Sequence, residues 1–219
     1  MKLSIIIPVH NEQERINSLI EHLKSLGDFE IIVSDSNGET NNIIIHKDII
    51  KKTSAKGRGN QLNAGAEKAT GDVYLFLHCD TVLTEGFDFE IEKGLKTHSA
   101  GAFALKIDSK SLFFRLIEKG VSIRNKITKI PYGDQAQFCS REAFDKIKGF
   151  KDIPIMEDVR IMKDFKKSGI KIYLSKMPVL TSPRRWEKEG LVYTTLRNWF
   201  IILLYNMGVS PHALKRLYK

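Results

Sequence analysis

Glu12, Asp35, His78, Asp80, Glu157 and Asp158 all stand where the chain leaves an apolar run or enters a helical one. A carboxylate in such a place can bind a hard divalent cation, accept hydrogen bonds from hydroxyl groups, or take the proton of an attacking oxygen. Arg58 lies between Gly57 and Gly59, just ahead of a helical stretch. Glycines let the backbone approach a ligand closely and a helix start adds positive potential, so this arginine suits a phosphate group. Arg184 and Arg185 form a second cationic pair, with Trp186 beside them as a stacking surface. Paired guanidinium groups match the geometry of phosphate oxygens.

The elements that must position these groups are read from apolar periodicity. Leu3 to Val9 is a continuous, β-branched run broken at Pro8, which predicts a buried parallel strand entering a loop. Asn11 then caps a helix, with Glu14 at its third position and a stripe of Ile16, Leu19, Ile20, Leu23 and Leu26 before Gly27. Residues 30–34 give a second strand with Asp35 opening its exit loop. Residues 41–52 mix Ile43, Ile44 and Ile45 with charge, and a short helix and a strand fit them equally. A helix over 60–69 and a strand over 73–77 follow, the latter ending in His78-Cys79-Asp80. Next come a strand over 103–107, a helix over 112–126, a strand over 135–139 and a short helix over 142–148. Glu157 and Asp158 open a further helix that Gly169 terminates, and residues 170–174 form a closing strand. Alternating strands and helices mean an α/β class, and in an open parallel sheet ligands collect outside the carboxyl ends of the strands. The carboxylates therefore converge on one rim.

Size and composition narrow the function classes. A chain of 219 residues with 42% hydrophobic and 28% charged residues is long enough for one domain with a proper core. We read residues 1–219 as a single domain whose last part, from about 181 to 219, is a helical appendage. Thirty-five basic against 26 acidic side chains give a formal charge of +9, which attracts phosphates, nucleic acid or an anionic membrane face without selecting among them. Cys79 and Cys139 are far apart and in no metal or redox spacing, so a reduced, cytoplasmic compartment is expected. The N-terminal apolar run is too short for a signal sequence. Trp199 to Tyr205 is the most apolar stretch but falls short of the roughly 20 residues that span a bilayer. We expect a helix over 191–205 that packs on the rest of the chain, on a second copy, or on the inner face of a membrane.

Several segments together carry a resemblance. Ile5-Ile6-Ile7-Pro8-Val9-His10-Asn11-Glu12, Ile31-Ile32-Val33-Ser34-Asp35, the Gly57 to Ala66 stretch, Leu75-Phe76-Leu77-His78-Cys79-Asp80-Thr81, Gly133-Asp134-Gln135 and Met156-Glu157-Asp158-Val159 resemble, in this order, the family 2 glycosyltransferases. The His-x-Asp-Thr form, with Arg184-Arg185-Trp186, Arg197-Asn198-Trp199 and Gly208-Val209-Ser210-Pro211, is similar to the radical-SAM/selenodomain-associated transferase 2 subfamily. The resemblance implies a GT-A fold with a mostly parallel central sheet flanked by helices. It also implies a nucleotide-diphosphate sugar donor, a hydroxyl acceptor, a divalent Mn2+ or Mg2+ ion, and inversion at the anomeric carbon.

By the same resemblance Pro8, Asn11, Glu12 and Asp35 line the base and ribose pocket, although Asn11 and Glu12 also fit plain helix capping. Arg58, His78, Asp80, Arg184 and Arg185 would complete the donor side. His78 replaces the first acid of the family's Asp-x-Asp motif, leaving Asp80 to hold the metal together with diphosphate oxygens. His78 then either touches the donor or packs at the strand end. Asp134 and Gln135 resemble the acceptor-side turn, with Trp186 as a further acceptor contact. Asp158 is the implied catalytic base and Glu157 its supporting or acceptor-binding carboxylate.

Other classes fit less well. Pro8 to Glu12 occupy the place where a dinucleotide oxidoreductase carries its glycine-rich turn. A sugar nucleotidyltransferase shares the architecture but needs a Gly- and Arg-rich loop after the first strand. A basic module that binds nucleotides or nucleic acid without catalysis agrees with the charge, yet no nucleic-acid signature is present and nucleic acid is not an expected partner.

Overall fold

The computed structural model describes residues 1–218. Strand β1 (Leu3–Val9) lies inside an eight-stranded sheet, paired in parallel with β2 (Glu30–Asp35) and β4 (Val73–Phe76). Strand β3 (Ile50–Thr53) extends the parallel half beyond β2. On the other side β7 (Phe138–Ser140) runs antiparallel to β4 and to β6 (Ala100–Ile107). Strand β8 (Ile172–Thr181) is parallel to β6 and antiparallel to the short β5 (Thr81–Val82). The strand order is β3-β2-β1-β4-β7-β6-β8-β5.

The period-two alternation of β1 explains the two layers of helices. Ile5, Ile7 and Val9 face one side, where Ile16, Leu19, Ile20 and Leu23 of α1 (Ile16–Leu26) meet Phe87 and Ile91 of α4 (Phe87–Leu95). Ile6 and Ile32 face the other side, against Leu62 and Ala66 of α3 (Arg58–Ala66) and a group that includes Phe144 of α6 (Arg141–Lys146) and Ile161, Met162 and Phe165 of α7 (Glu157–Lys167). Each fully buried Ile or Leu of these layers stabilises the fold by about 1.5–3 kcal/mol relative to exposure.

The structure differs from the expected elements in specific ways. Helix α1 starts at Ile16, and Asn11 does not cap it: Asn11 adopts φ 59 in a loop and its Oδ1 accepts from Asn37 Nδ2 at 2.9 Å. Residues 41–52 hold both alternatives in part, since α2 (Glu39–Asn42) precedes them and β3 closes them. Helix α4 was not visible in the pattern, because Phe89 on its outer face is exposed and Gly94 interrupts it; Gly94 admits the Tyr173 ring, which would lie 2.5 Å from a Cβ there. Strand β8 continues well past Leu174, through Pro178 to Thr181, with an irregular register opposite Ala102 and Ala104. Gly133–Gln135 form a single 3-10 turn rather than the start of a strand.

Helix α5 (Leu112–Thr128) covers the end of β6, and α8 (Arg184–Glu189), α9 (Leu191–Asn206) and α10 (Pro211–Leu217) form the appendage. Ile201 and Leu214 of the appendage pack on Ile155, in the loop just before α7.

Candidate active site

The carboxyl ends of β1 and β2 are tied together by Gln61 of α3, whose amide donates to the carbonyls of Val9 and of Ser34, the latter at 3.1 Å. Nothing in the residue pattern singled out this glutamine. Glu12, beyond β1, receives Arg15 at 3.2 Å and Arg184 at 3.5 Å, while its backbone N–H donates to Thr40 Oγ1 at 3.2 Å. Pro8 is half-buried in β1 opposite Ser34. Asp35 departs from the expectation of an open pocket wall. It is fully buried, and its two oxygens accept from the backbone N–H groups of Asn37 at 3.1 Å and Asn41 at 3.0 Å, so it shapes the loop after β2 from beneath.

Helix α3 begins against the loop before α7, so closely that a Cβ on Gly59 would lie 2.8 Å from the Lys151 carbonyl oxygen. This approach brings Arg58 within 3.1 Å of Glu157. Glu157 is buried, and burial raises its carboxyl pKa even though Arg58 opposes the shift. Glu157 thus faces Arg58 from within the fold and holds it in place.

Asp158, the next residue, points elsewhere. One of its oxygens accepts from the Gly133 N–H and the other from the Val159 N–H, both at 2.8 Å. Gly133 is pressed between His78 and Asp158: a Cβ there would stand 3.0 Å from His78 Nε2 and 3.2 Å from Asp158 Cβ. A second unforeseen amide, Gln137, fixes the same region by donating to the carbonyls of Pro131 at 2.9 Å and Asp158 at 3.0 Å. Burial, then the charges of Arg58 and Arg185, push the His78 pKa well below the usual imidazole value, so His78 is neutral at pH 7.

Asp134 shares the Gly133 turn. Burial raises its carboxyl to about 6; Arg124 opposes this, and Asp158 and Asp80 add to it. Arg124 is a functional neighbour that the sequence did not reveal, since it reads as one more helix-surface cation. Its guanidinium lies 3.4 Å from the Tyr132 ring centroid and donates to Gln135 Oε1 at 3.3 Å. Gln135 is buried, with its amide spent on Asn125, Tyr132, Arg124 and the Phe103 carbonyl. The assignment of Gln135 to acceptor contact is therefore corrected: it braces the turn that carries Asp134.

Asp80 lies in the turn into β5, its backbone carbonyl accepting from Ser182 at 3.1 Å. Its carboxylate is part-exposed, and Arg184 at 3.9 Å is beyond hydrogen-bond distance, so its oxygens are open to a ligand. Burial drives the neighbouring Cys79 thiol up to about 12, which leaves it protonated and no ligand for a hard cation. Among the described residues no three His, Cys, Asp or Glu side chains form a self-sufficient metal cluster.

Arg185 donates to the Tyr218 hydroxyl. Trp186 is placed away from this group: it packs edge-on against Phe114 at 5.6 Å and donates to Thr195 Oγ1 at 3.2 Å, joining α8 to α5 and α9. Its expected acceptor contact is corrected accordingly. An open groove of about 720 Å3 lined by Met1, Leu26, Phe29 and Asp88 lies at the amino end of the strands, opposite the rim where these polar groups gather.

The rim thus gathers the cations Arg58, Arg184 and Arg185 among the carboxylates Asp80, Asp134 and Asp158, with Arg184 3.9 Å from Asp80. Such a mixture can receive a negatively charged leaving group and take the proton of an attacking hydroxyl. The model of glycosyl transferase family 2 matches residues 4–151, which is most of the chain. The chain belongs to glycosyl transferase family 2. No curated protein matches it.

Solved structures with the same fold include three glycosyltransferases. One is the mannosyltransferase PcManGT from Pyrobaculum calidifontis in complex with GDP-Man and Mn2+, at 19% identity and TM-score 0.65, covering 82% of this chain and 56% of that one. Another is glucosyl-3-phosphoglycerate synthase from Mycobacterium tuberculosis with Mn2+, UDP and glucosyl-3-phosphoglycerate, at 17% identity and TM-score 0.60, covering 81% and 70%. The third is S. aureus TarS with UDP-GlcNAc, at 17% identity and TM-score 0.62, covering 83% and 58%. This family 2 chain spans little more than half the length of the first and third.

Proposed function

We propose that this family 2 chain transfers a sugar from a nucleotide-diphosphate donor to a hydroxyl acceptor with inversion, using a divalent ion and Asp158 as the base. The observation that carries the reading is the placement of Asp158. Its carboxylate is oriented by the Gly133 N–H and the start of α7, beside Asp134 and a neutral His78, with the Arg58 cation held nearby by Glu157. The nucleotide-bearing neighbours support the donor class. The sequence motifs support the radical-SAM/selenodomain-associated transferase 2 subfamily as the branch of the family.

In a single displacement the acceptor oxygen attacks the anomeric carbon, its proton passes to Asp158, and the bond to the diphosphate oxygen breaks on the opposite side. One base suffices, in contrast to the two carboxylates of an inverting glycosidase. Arg58, Arg184 and Arg185 receive the charge that collects on the departing diphosphate. The open Asp80 carboxylate fits Mn2+ or Mg2+ when diphosphate oxygens supply the other ligands, and a bound ion would neutralise the same charge. His78, being neutral, meets the donor through hydrogen bonds and adds no second anion. Pro8, Asn11 and Glu12 form the base and ribose side, on a loop that Asp35 shapes.

Paired variants test this assignment. Asp158→Asn should bind a nucleotide diphosphate with Mn2+ nearly as well as the parent and lose transfer by about a hundredfold or more. Asp80→Asn should instead lose the metal-dependent part of nucleotide binding. Retention of most turnover by Asp158→Asn would remove it as the base and turn attention to Asp134.

A further inference from the structure

Helix α5 buries Phe114 and partly buries Phe113, Ile117 and Val121, yet its opposite face is also apolar: Leu112, Leu116, Ile123 and Ile127 are 50–80% exposed. Helix α9 repeats the pattern. It buries Ile201 against the loop before α7, while Val192, Leu196, Trp199, Leu203 and Met207, spaced by three to four residues along one stripe, are 56–73% exposed. Trp186 joins the two helices, packing on Phe114 of α5 and bonding Thr195 of α9. Two long exposed apolar stripes on adjoining helices exceed what a monomer usually leaves bare.

Charge selects what covers them. Residues 106–129 carry seven basic against two acidic side chains, and residues 184–218 carry six against two. These two segments hold the whole formal excess of +9, whereas residues 1–100 carry 11 basic against 15 acidic side chains. Lys110, Lys119, Lys126, Lys129, Lys188 and Lys215 are exposed. A symmetric pair of chains meeting through this face would set like charge against like, while an anionic lipid surface complements it. Exposed Tyr193 and Trp199 are the residue types that settle at a bilayer interface. No helix among the described residues is long and apolar enough to cross a membrane, so the contact is one of lying on the surface.

We infer that α5 and α9 together form a docking face for an anionic membrane, with both apolar stripes entering the headgroup region and the flanking lysines pairing with lipid phosphates. Because α5 also carries Arg124 and Asn125, which brace the Asp134 turn, docking brings that turn of the rim toward lipid. Exposure and charge define this face, whatever reaction the rim carries out.

Co-sedimentation of the full chain with phosphatidylcholine vesicles containing about a third phosphatidylglycerol tests it, beside vesicles of phosphatidylcholine alone. Binding should be at least tenfold stronger to the anionic vesicles and should weaken as ionic strength rises from about 0.1 M to about 1 M. The double variants Leu116→Gln/Ile127→Gln and Leu196→Gln/Trp199→Gln should each lower partitioning by roughly tenfold or more. All four positions are exposed, so circular dichroism and nucleotide binding should match the parent. Absence of vesicle binding by the parent would overturn the inference. So would binding that responds to salt but ignores both double variants, since the stripes would then not enter lipid. A dimer that these variants dissolve, without vesicle binding, would overturn it and assign the face to a second copy.

Discussion

Asp134 is a carboxylate whose charge the fold opposes. Burial comes first among the causes; Arg124 opposes it and the negative neighbours Asp158 and Asp80 add to it, so its carboxyl stands at about 6 against an ordinary 3.8. The native state therefore holds this proton more tightly than the unfolded chain does. The resulting stability is fully present below the unfolded value and is lost as pH rises through about 6. Asp134→Asn should raise stability at pH 8 by on the order of 1–2 kcal/mol, allowing for the partial exposure of the side chain, and the gain should shrink toward pH 4. Urea midpoints at both pH values check this, and an equal difference at the two would count against the burial of charge as the cause. At this scale the sequence revealed which charged groups reach the rim better than what supports them. Asp158, Asp80 and Arg58 were legible because strand ends and helix starts were legible. Gln61, Gln135 and Gln137 are used up on carbonyls and amides that come from elsewhere in the chain, and no spacing announces such partners. The part Asp35 plays in shaping the loop after β2 was hidden for the same reason: its two amide donors belong to the loop that it organises.

Helix α3 lies close to β1 because Gly65 has no side chain: a Cβ there would come 2.4 Å from Ile6 Cγ2 and 3.8 Å from Ile32 Cγ2. Alanine is the better helix former by about 1 kcal/mol, but crowding in a packed layer costs about 1–3 kcal/mol. Ile6 is fully buried in the middle of β1 and has little room to yield, so Gly65→Ala should lower stability by roughly 1–2 kcal/mol. A thermal shift would show it, and an unchanged or raised midpoint would mean that α3 can slide. Because α3 also carries Arg58 and Gln61, a slide would move both within the rim. The parallel half of the sheet was readable since β1, β2 and β4 are continuous apolar runs. The place of β7 between β4 and β6 was not, because antiparallel insertion of three residues leaves no local trace. Pro178 likewise hid the second half of β8, since a residue without an N–H argues against a strand.

For the molecule as a whole, the appendage supports the loop that presents Glu157 and Asp158. Leu214 of α10 and Ile201 of α9 are fully buried against Ile155, with Met156, Tyr205 and Val209 around them. Met156, between Ile155 and Glu157, adopts the left-handed φ of 67 that a side chain rarely takes, at a cost of order 1–3 kcal/mol. Asn11 and Ala136, in two other rim loops, share this conformation. Such a loop persists only when its surroundings hold it, and here the surroundings include helices more than 40 residues away in sequence. Removing the Leu214 side chain deletes the centre of that small cluster without touching the two main layers. Leu214→Ala should cost about 2–4 kcal/mol locally, because a buried Leu lost to a cavity costs that much where collapse is limited. The loss should appear as faster amide hydrogen exchange in residues 155–158 and along α9 and α10, with β1 and β2 as slow as in the parent. Sugar transfer should fall with it, through a loosened Asp158. If exchange in 155–158 stays at the parent level while α10 frays, the appendage is a passive neighbour of the rim and its support of the proposed base is refuted.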